Sequence, residues 1–182
     1  MLQSHESAVT VLRRAIELFR LHPSDWERFG TRVVSFEREH FPAGLREDPS
    51  ELRRLIQSPT SIVIGVRTDA IPLAGYIGSD ALEQFGDVPG VRADAHWSCN
   101  DTHYIAAVVV VPELRHQGIA TLLVKDCVRA AQALGFTRVT AHMAEGAAAK
   151  LDTRIRVLDC YTDWYGTGQA FEYIEIPLEI AS

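Results

Sequence analysis

The sequence predicts a mixed α/β fold: a central mixed sheet flanked by helices, with a helical N-terminal segment. Three observations carry that prediction. Two β-branched-rich runs, SIVIGVRTD and IPLAGYIGSDAL, separate near Asp69 and Ala70 and read as an antiparallel hairpin. The almost continuous apolar run YIAAVVVV reads as a central strand covered on both faces. Ile119 to Leu134 then sets Leu122, Leu123, Cys127, Val128, Ala131 and Leu134 on one helical face and Lys125, Asp126 and Arg129 on the other, with Gly135 as the cap.

The remaining elements follow in order. From Glu6 to Leu21, apolar residues at Val9, Val11, Leu12, Ile16, Leu18 and Phe19 fall close to helical spacing, and Pro23 ends the run near His22. Ser24-Asp25-Trp26-Glu27 resembles a capping box and opens a second helix to about His40. Pro49 and Ser50 introduce a short helix over Glu51 to Gln57. From Glu83 to Asn100 the chain is polar and aperiodic, a loop or insertion. Thr137 to Met143 is another strand, AEGAAAKLD a short helix, and RIRVLDCYT with AFEYIEIPL a final strand pair joined by DWYGTGQ. The 182 residues suit one domain: 1–58 mainly helical, 59–182 the sheet and its ligand-binding core.

Composition narrows the function classes. No apolar run approaches the ~20 residues of a membrane span, and the start MLQSHESAVT lacks the basic and apolar regions of a signal peptide, so the expected location is cytoplasmic. Cys99, Cys127 and Cys160 are an odd, widely spaced set, read as reduced thiols. The net charge of −6 and the lack of a Lys/Arg run interleaved with aromatics argue against a nucleic-acid partner. That balance suits a neutral or cationic partner, and a single anion would need a local device.

VVVVPELRHQGIAT, from Val108 to Thr121, supplies such a device. Where a strand gives way to a helix through a glycine turn, the first helical amides lack partners and point outward together. With the helix dipole they form an anion cup suited to a phosphate or pyrophosphate. Gly118 lets the backbone approach the ligand closely, and Ala120 is small for the same reason. The P-loop is excluded because no Gly-Lys-Ser/Thr occurs, and no G-x-G-x-x-G is present. What remains is Arg115-His116-Gln117-Gly118-Ile119-Ala120, which fits [RQ]-x-x-G-x-[GA].

With that motif, and with the element order from Ser61 to Leu178, the sequence resembles the GCN5-related N-acetyltransferases (GNAT). The resemblance implies acetyl-CoA as cofactor, its pyrophosphate on the amides of Arg115, His116, Gln117, Gly118, Ile119, Ala120 and Thr121. Its pantetheine arm would pair along Val108, Val109 and Val110, where the strand splays from its neighbour at a bulge. It also implies an acyl carbonyl near the Val108 amide. The expected activity is acetyl transfer to a primary amine of a small molecule or peptide by direct attack. A longer acyl group, or a non-catalytic coenzyme A sensor, stays open as an alternative. VVVV as plain core and HQG as a plain turn is the bland reading of the same stretch.

Acid and base are less legible. The family's N-x-x-A-x-x-L-Y run corresponds to Glu145-Gly146-Ala147-Ala148-Ala149-Lys150-Leu151-Asp152, so Asp152 stands where the tyrosine would be. Tyr165 and Tyr161 are the substitutes for an acid, with half-buried strand aromatic (Tyr161) and loop contact (Tyr165) as bland alternatives. Counting back along the valine strand places Tyr104 where many relatives carry a glutamate base, with His103 on the opposite face; Asp101 or a water relay serves the same end. His96, Cys99, Asp101 and His103 form H-x-x-C-x-D-x-H, a spacing that matches no common structural zinc pattern, so no metal is expected. Trp26, Phe29, Phe36 and Phe41 are read as core. The acceptor amine stays unidentified, and the oligomeric state is open, a homodimer included.

Overall fold

The computed structural model describes residues 16–152 and 154–178. Seven strands form one sheet in the order β1-β2-β3-β4-β5-β7-β6. They are β1 Glu17–Arg20, β2 Ile62–Arg67, β3 Gly75–Ala81, β4 Thr102–Val110, β5 Arg138–Ala144, β6 Arg156–Tyr161 and β7 Phe171–Ile176. The helices are α1 Trp26–His40, α2 Pro49–Gln57, α3 Ile119–Ala133 and the single turn α4 Ala148–Leu151. Every neighbouring pair is antiparallel except β4 and β5. The predicted mixed sheet, its hairpin (β2–β3) and its terminal strand pair are therefore all present.

The first departure lies at the start. Glu17–Arg20, expected as the end of a helix, is a strand paired to β2, and Leu21 extends it by donating to the Val63 carbonyl at 2.9 Å. The rest of that expected helix lies outside the described residues. An open edge on β2 offers ladder bonds and a concave site, and these outweigh a weak helical period. Gly65 makes the site: a Cβ there would come within 2.8 Å of both Leu21 and Phe19. Among the described residues the first α-helix of the N-terminal portion is thus α1.

Local signals set the helix ends. Just before α1 the Asp25 carboxylate accepts from the His22 amide at 2.8 Å, so the box is set on His22 and Asp25, two residues earlier than the expected Ser24 and Glu27. Asp48 caps α2 by accepting from the Ser50 amide at 2.8 Å. At the end of α3, Phe136 donates to the Ala131 carbonyl and Gly135 (φ +91°) to Gln132, a Schellman closure that only a residue tolerant of the left-handed region allows. α3 buries Ile119, Leu123, Val124, Cys127, Val128 and Ala131 against the sheet. Leu122 and Leu134, expected on that face, are exposed, because the true stripe is rotated toward Ile119 and Val124.

The main core lies between the sheet and the helices, with Phe36, Ile62, Ile77, Leu123 and Ile174 at its centre. Phe29 and Phe36 belong to it as expected, and Trp26 packs against it. Among the described residues no helix is long and apolar enough to cross a membrane.

Candidate active site

β4 is paired with β3 along nearly its whole length and with β5 only in part. It runs beside β5 from Thr102↔Arg138 to Ile105↔Ala141 and no further. The break coincides with a bulge: Gly78 pairs Ala107 and Ser79 pairs Ile105, so Ala106 has no partner on β3. Beyond the bulge the strands part. Ala106 is exposed and Ala107 and Val108 half-buried, so the expectation of a strand covered on both faces fails at its middle.

The ladder's alternation decides which backbone groups face this opening. Val111 donates to the Ala74 carbonyl at 2.9 Å, which fixes the phase: Val109 turns its N–H and C=O to β3, while Val108 and Val110 turn theirs toward the gap. Arg115 Nε takes the Val110 carbonyl at 2.9 Å. The N–H and C=O of Val108 have no partner among the described residues.

The turn into α3 presents a second set of free groups. His116 (φ +60°) and Gly118 (φ +77°) are both left-handed, and Gly118 caps the helix. The first bond of the helix is Leu122 N–H to the Gly118 carbonyl at 3.0 Å. Among the described residues the amides from His116 to Thr121 donate to nothing, and together with the dipole of a 15-residue helix they form a positive cup. A Cβ on Gly118 would meet nothing within 4 Å, so packing does not demand glycine. Its left-handed backbone and the open space of the cup do. The side chains of this turn are tied back onto it: Gln117 Nε2 donates to the Glu113 carbonyl at 3.1 Å, and Arg115 also reaches His40 Nδ1 at 3.1 Å.

The gap opens into a cleft of about 440 Å³. Residues of the sheet and helices line the part termed inner (Ala106, Ala107, Val108, Val124, Met143 and Leu151), and residues of the connecting segments the part termed outer (Phe41, Glu47, Phe85, Val88, Trp164 and Tyr165). Tyr104 and His142 also line the cleft. Tyr104 Oη is 2.9 Å from His142 Nδ1, and the His142 ring is stacked between Trp164 (centroids 4.3 Å apart) and Tyr173 (4.6 Å). His142 Nε2 is buried with no partner. Burial holds the His142 pKa down to about 4 and pushes the Tyr104 phenol well up, so both are neutral near pH 7.

The two candidate tyrosines separate. Tyr165 lines the cleft, is half exposed, and holds a left-handed backbone (φ 51°) between Trp164 and Gly166. Burial, then the Glu47 and Asp87 carboxylates, raise its pKa, which keeps the phenol protonated. Tyr161 does not line the cleft. Its hydroxyl donates to Asp159 at 3.1 Å and lies where a Cβ on Gly90 would fall, and burial with Asp159 pushes its pKa up to about 12. Asp152, at the position of the family's usual tyrosine, is paired with the Arg154 guanidinium at 2.9 Å.

Of the four-residue cluster, His96, Cys99 and Asp101 bring their ligand atoms within 4.8 Å of one another, with His96 Nδ1 2.9 Å from Asp101. His103 is elsewhere, buried on the other face of the sheet with Nε2 2.9 Å from Ser79 Oγ, as alternation predicts. Sequence reading missed His142, Glu47, Phe85 and Val88, and Phe41 lines the cleft as well as packing on the core. The signal for His142 was available: if the two strands run parallel, TRVTAHM sets a histidine two residues past the partner of Tyr104.

The family model described as Acetyltransferase (GNAT) family matches residues 17–151. Comparison with the curated proteins returned no match. Among solved structures, Arabidopsis thaliana NAA60 in complex with acetyl-CoA aligns with a TM-score of 0.68 at 18% identity, covering 88% of this chain and 97% of that one. The ribosomal-protein-S18-alanine N-acetyltransferase of Escherichia coli aligns at 0.65 and 11% identity, covering 92% and 96%. A spermidine N-acetyltransferase chimera from Vibrio cholerae SpeG and hSSAT aligns at 0.61 and 14%, covering 90% and 96%. With the family model spanning most of the chain, and the bulged, half-paired strand leading into a free-amide turn, the protein belongs to the GNAT acetyltransferase family.

Proposed function

We propose that the chain is an acetyl-CoA-dependent N-acetyltransferase that moves the acetyl group to a primary amine by direct attack. The observation that carries this reading is two sets of backbone groups without partners among the described residues, at Val108 and across the His116–Thr121 turn, beside an opening lined by small side chains. It suits a ligand with an extended amide-bearing arm and a pyrophosphate. Acetyl-CoA supplies the activated acyl group as a thioester. The Val108 N–H is positioned to stabilise negative charge on the acyl oxygen, a donor of the kind worth several kcal/mol in other acyl transfers.

The amine nitrogen forms the new C–N bond as the C–S bond breaks. One proton leaves the nitrogen and one reaches the departing thiolate. His142 answers the first need. In the neutral tautomer that carries its proton on Nδ1, toward Tyr104 Oη, it keeps a lone pair on Nε2 to take a proton directly or through one water. A base of low pKa suffices once attack has made the nitrogen acidic. Tyr165 answers the second, as a protonated phenol on the cleft wall.

Gly118→Glu tests the reading. It puts a carboxylate into the cup and a side chain on a left-handed backbone, and coenzyme A binding by calorimetry should fall by more than 100-fold while a thermal melt confirms the fold. Unchanged affinity overturns the assignment. Thiol release from acetyl-CoA over a panel of amines tests the chemistry: tight binding without turnover would make the chain a coenzyme A-binding module instead.

A further inference from the structure

Resting on the acetyl-transfer reading, we propose that the outer cleft is the acceptor subsite and that it selects a primary amine on an apolar, preferably aromatic, group over a polyamine. Phe41, Phe85, Val88, Trp164 and Tyr165 line it, drawn from three separate segments. The rings are fixed before any ligand arrives: Phe85 packs on Tyr104 with centroids 4.7 Å apart, and Tyr165 stands edge-on to Trp164 at 4.8 Å. Such a wall gains by covering apolar surface and loses by desolvating charge.

The charges at the mouth are unequal. Two residues lining the cleft carry full charge, Arg46 and Glu47. The Arg46 guanidinium is spent on the Phe41 carbonyl (2.9 Å) and the Arg38 carbonyl (3.2 Å), which also pins the turn that presents Phe41. The Glu47 amide donates to buried Glu37 at 3.1 Å, anchoring that residue's backbone, while its carboxylate has no hydrogen-bond or ion-pair partner among the described residues. One unpaired carboxylate on a wall of aromatic rings fits one ammonium on arrival, and that ammonium releases a proton to solvent before its nitrogen, now neutral, attacks the thioester. A polyamine would bring further charges that this wall leaves unmatched.

The test compares kcat/KM with acetyl-CoA for 2-phenylethylamine, ethylamine, spermidine and a short peptide with N-terminal phenylalanine. The phenyl group should raise kcat/KM over ethylamine by roughly tenfold or more, and spermidine should fall below 2-phenylethylamine. Which of the arylalkylamine and the peptide is faster identifies the source of the amine, and either fits. Spermidine as the best substrate, or parity of ethylamine with 2-phenylethylamine, overturns the proposal while leaving acetyl transfer intact.

A second measurement does not depend on turnover. On coenzyme A-saturated protein, calorimetry should show Glu47→Gln weakening 2-phenylethylamine about three- to fivefold and leaving 2-phenylethanol within twofold. Equal effects on amine and alcohol, or none on either, sink the role of Glu47. Selective amine binding without acetylation of any substrate would retain the subsite and reject the acetyl-transfer reading.

Discussion

The two halves of the cleft are built from different materials. The inner half adjoins backbone groups: the Val108 edge lines it, and the His116–Gly118 turn and the first amides of α3 follow at the end of the same strand, with side chains such as Arg115 and Gln117 folded back to brace the turn. The outer half is side chain: His142 from β5, Tyr104 from β4, Tyr165 from the β6–β7 connection, and Phe41 and Glu47 from the segment between α1 and α2. A backbone site tolerates many sequences so long as one glycine turns left-handed and one strand stays half-paired. A side-chain site works only if distant segments converge. The first kind suits a ligand common to many relatives, the second a partner that differs between them.

Substitutions can break this contrast. After the loss of coenzyme A binding expected for Gly118→Glu, the largest effect belongs to His142→Gln. It keeps a polar group near Tyr104 but removes the proton acceptor, and kcat should fall roughly 100-fold, equivalent to about 2.7 kcal/mol, with KM for acetyl-CoA unchanged. Steady-state kinetics checks the split. A rise in KM for acetyl-CoA with kcat preserved would move His142 from proton transfer to donor binding, and the halves would no longer be chemically separate.

The same contrast explains what the sequence made legible. The half proposed to hold the donor was readable as structure because its determinants are contiguous: VVVV, the glycine and the amphipathic helix lie within one short stretch, and the strand, turn and helix are found there. His142 went unnoticed because nothing beside it in TRVTAHM announces a role; its meaning comes from Tyr104, which only the parallel β4–β5 register brings within 2.9 Å. The strand at Glu17–Arg20 escaped for a related reason, since its partner is β2 and its filling of the Gly65 hollow is a tertiary fact. The rotated stripe of α3 is a smaller case: period fixes that one face is apolar, and packing fixes which of Leu122 and Val124 is inside.

A second buried histidine sharpens the comparison. His103 sits outside the cleft against Ser79 and Phe136, its Nδ1 without a partner, and burial with nearby Arg20 holds its pKa down to about 3. The folded state therefore binds fewer protons than the unfolded state wherever an ordinary histidine titrates. Stability conferred by keeping it neutral is complete above pH ~6.5 and is lost as pH falls from there toward 3. Glu37, whose carboxyl burial raises, works with the opposite sign, so the difference between wild type and His103→Gln isolates the term. Denaturant melts should show the wild type losing about 3 kcal/mol more than the variant between pH 7 and pH 4. Parallel curves would mean that His103 is protonated in the fold, and that burial alone does not distinguish a core histidine from one in the cleft.

The smallest effects on turnover fall on the two tyrosines, with Tyr165→Phe the larger. The residue keeps a left-handed backbone at a cost of order 1 kcal/mol, which the Trp164 contact and the turn around it must offset, and its ring faces the cleft. Phenylalanine retains ring and turn and removes only the hydroxyl. A thiolate is a good leaving group even without an acid, so the loss should be modest: kcat down about fivefold to tenfold, roughly 1–1.4 kcal/mol. The acid limb of the kcat profile should stay in place and the alkaline limb should move, because the raised phenol is the group that would deprotonate there. Tyr161→Phe, removing a hydroxyl committed to Asp159 beneath Gly90, should leave kcat within twofold and lower thermal stability instead. If both variants keep full kcat and an unchanged profile, protonation of the thiolate belongs to solvent, and the outer half of the cleft supplies the base and the acceptor's walls alone.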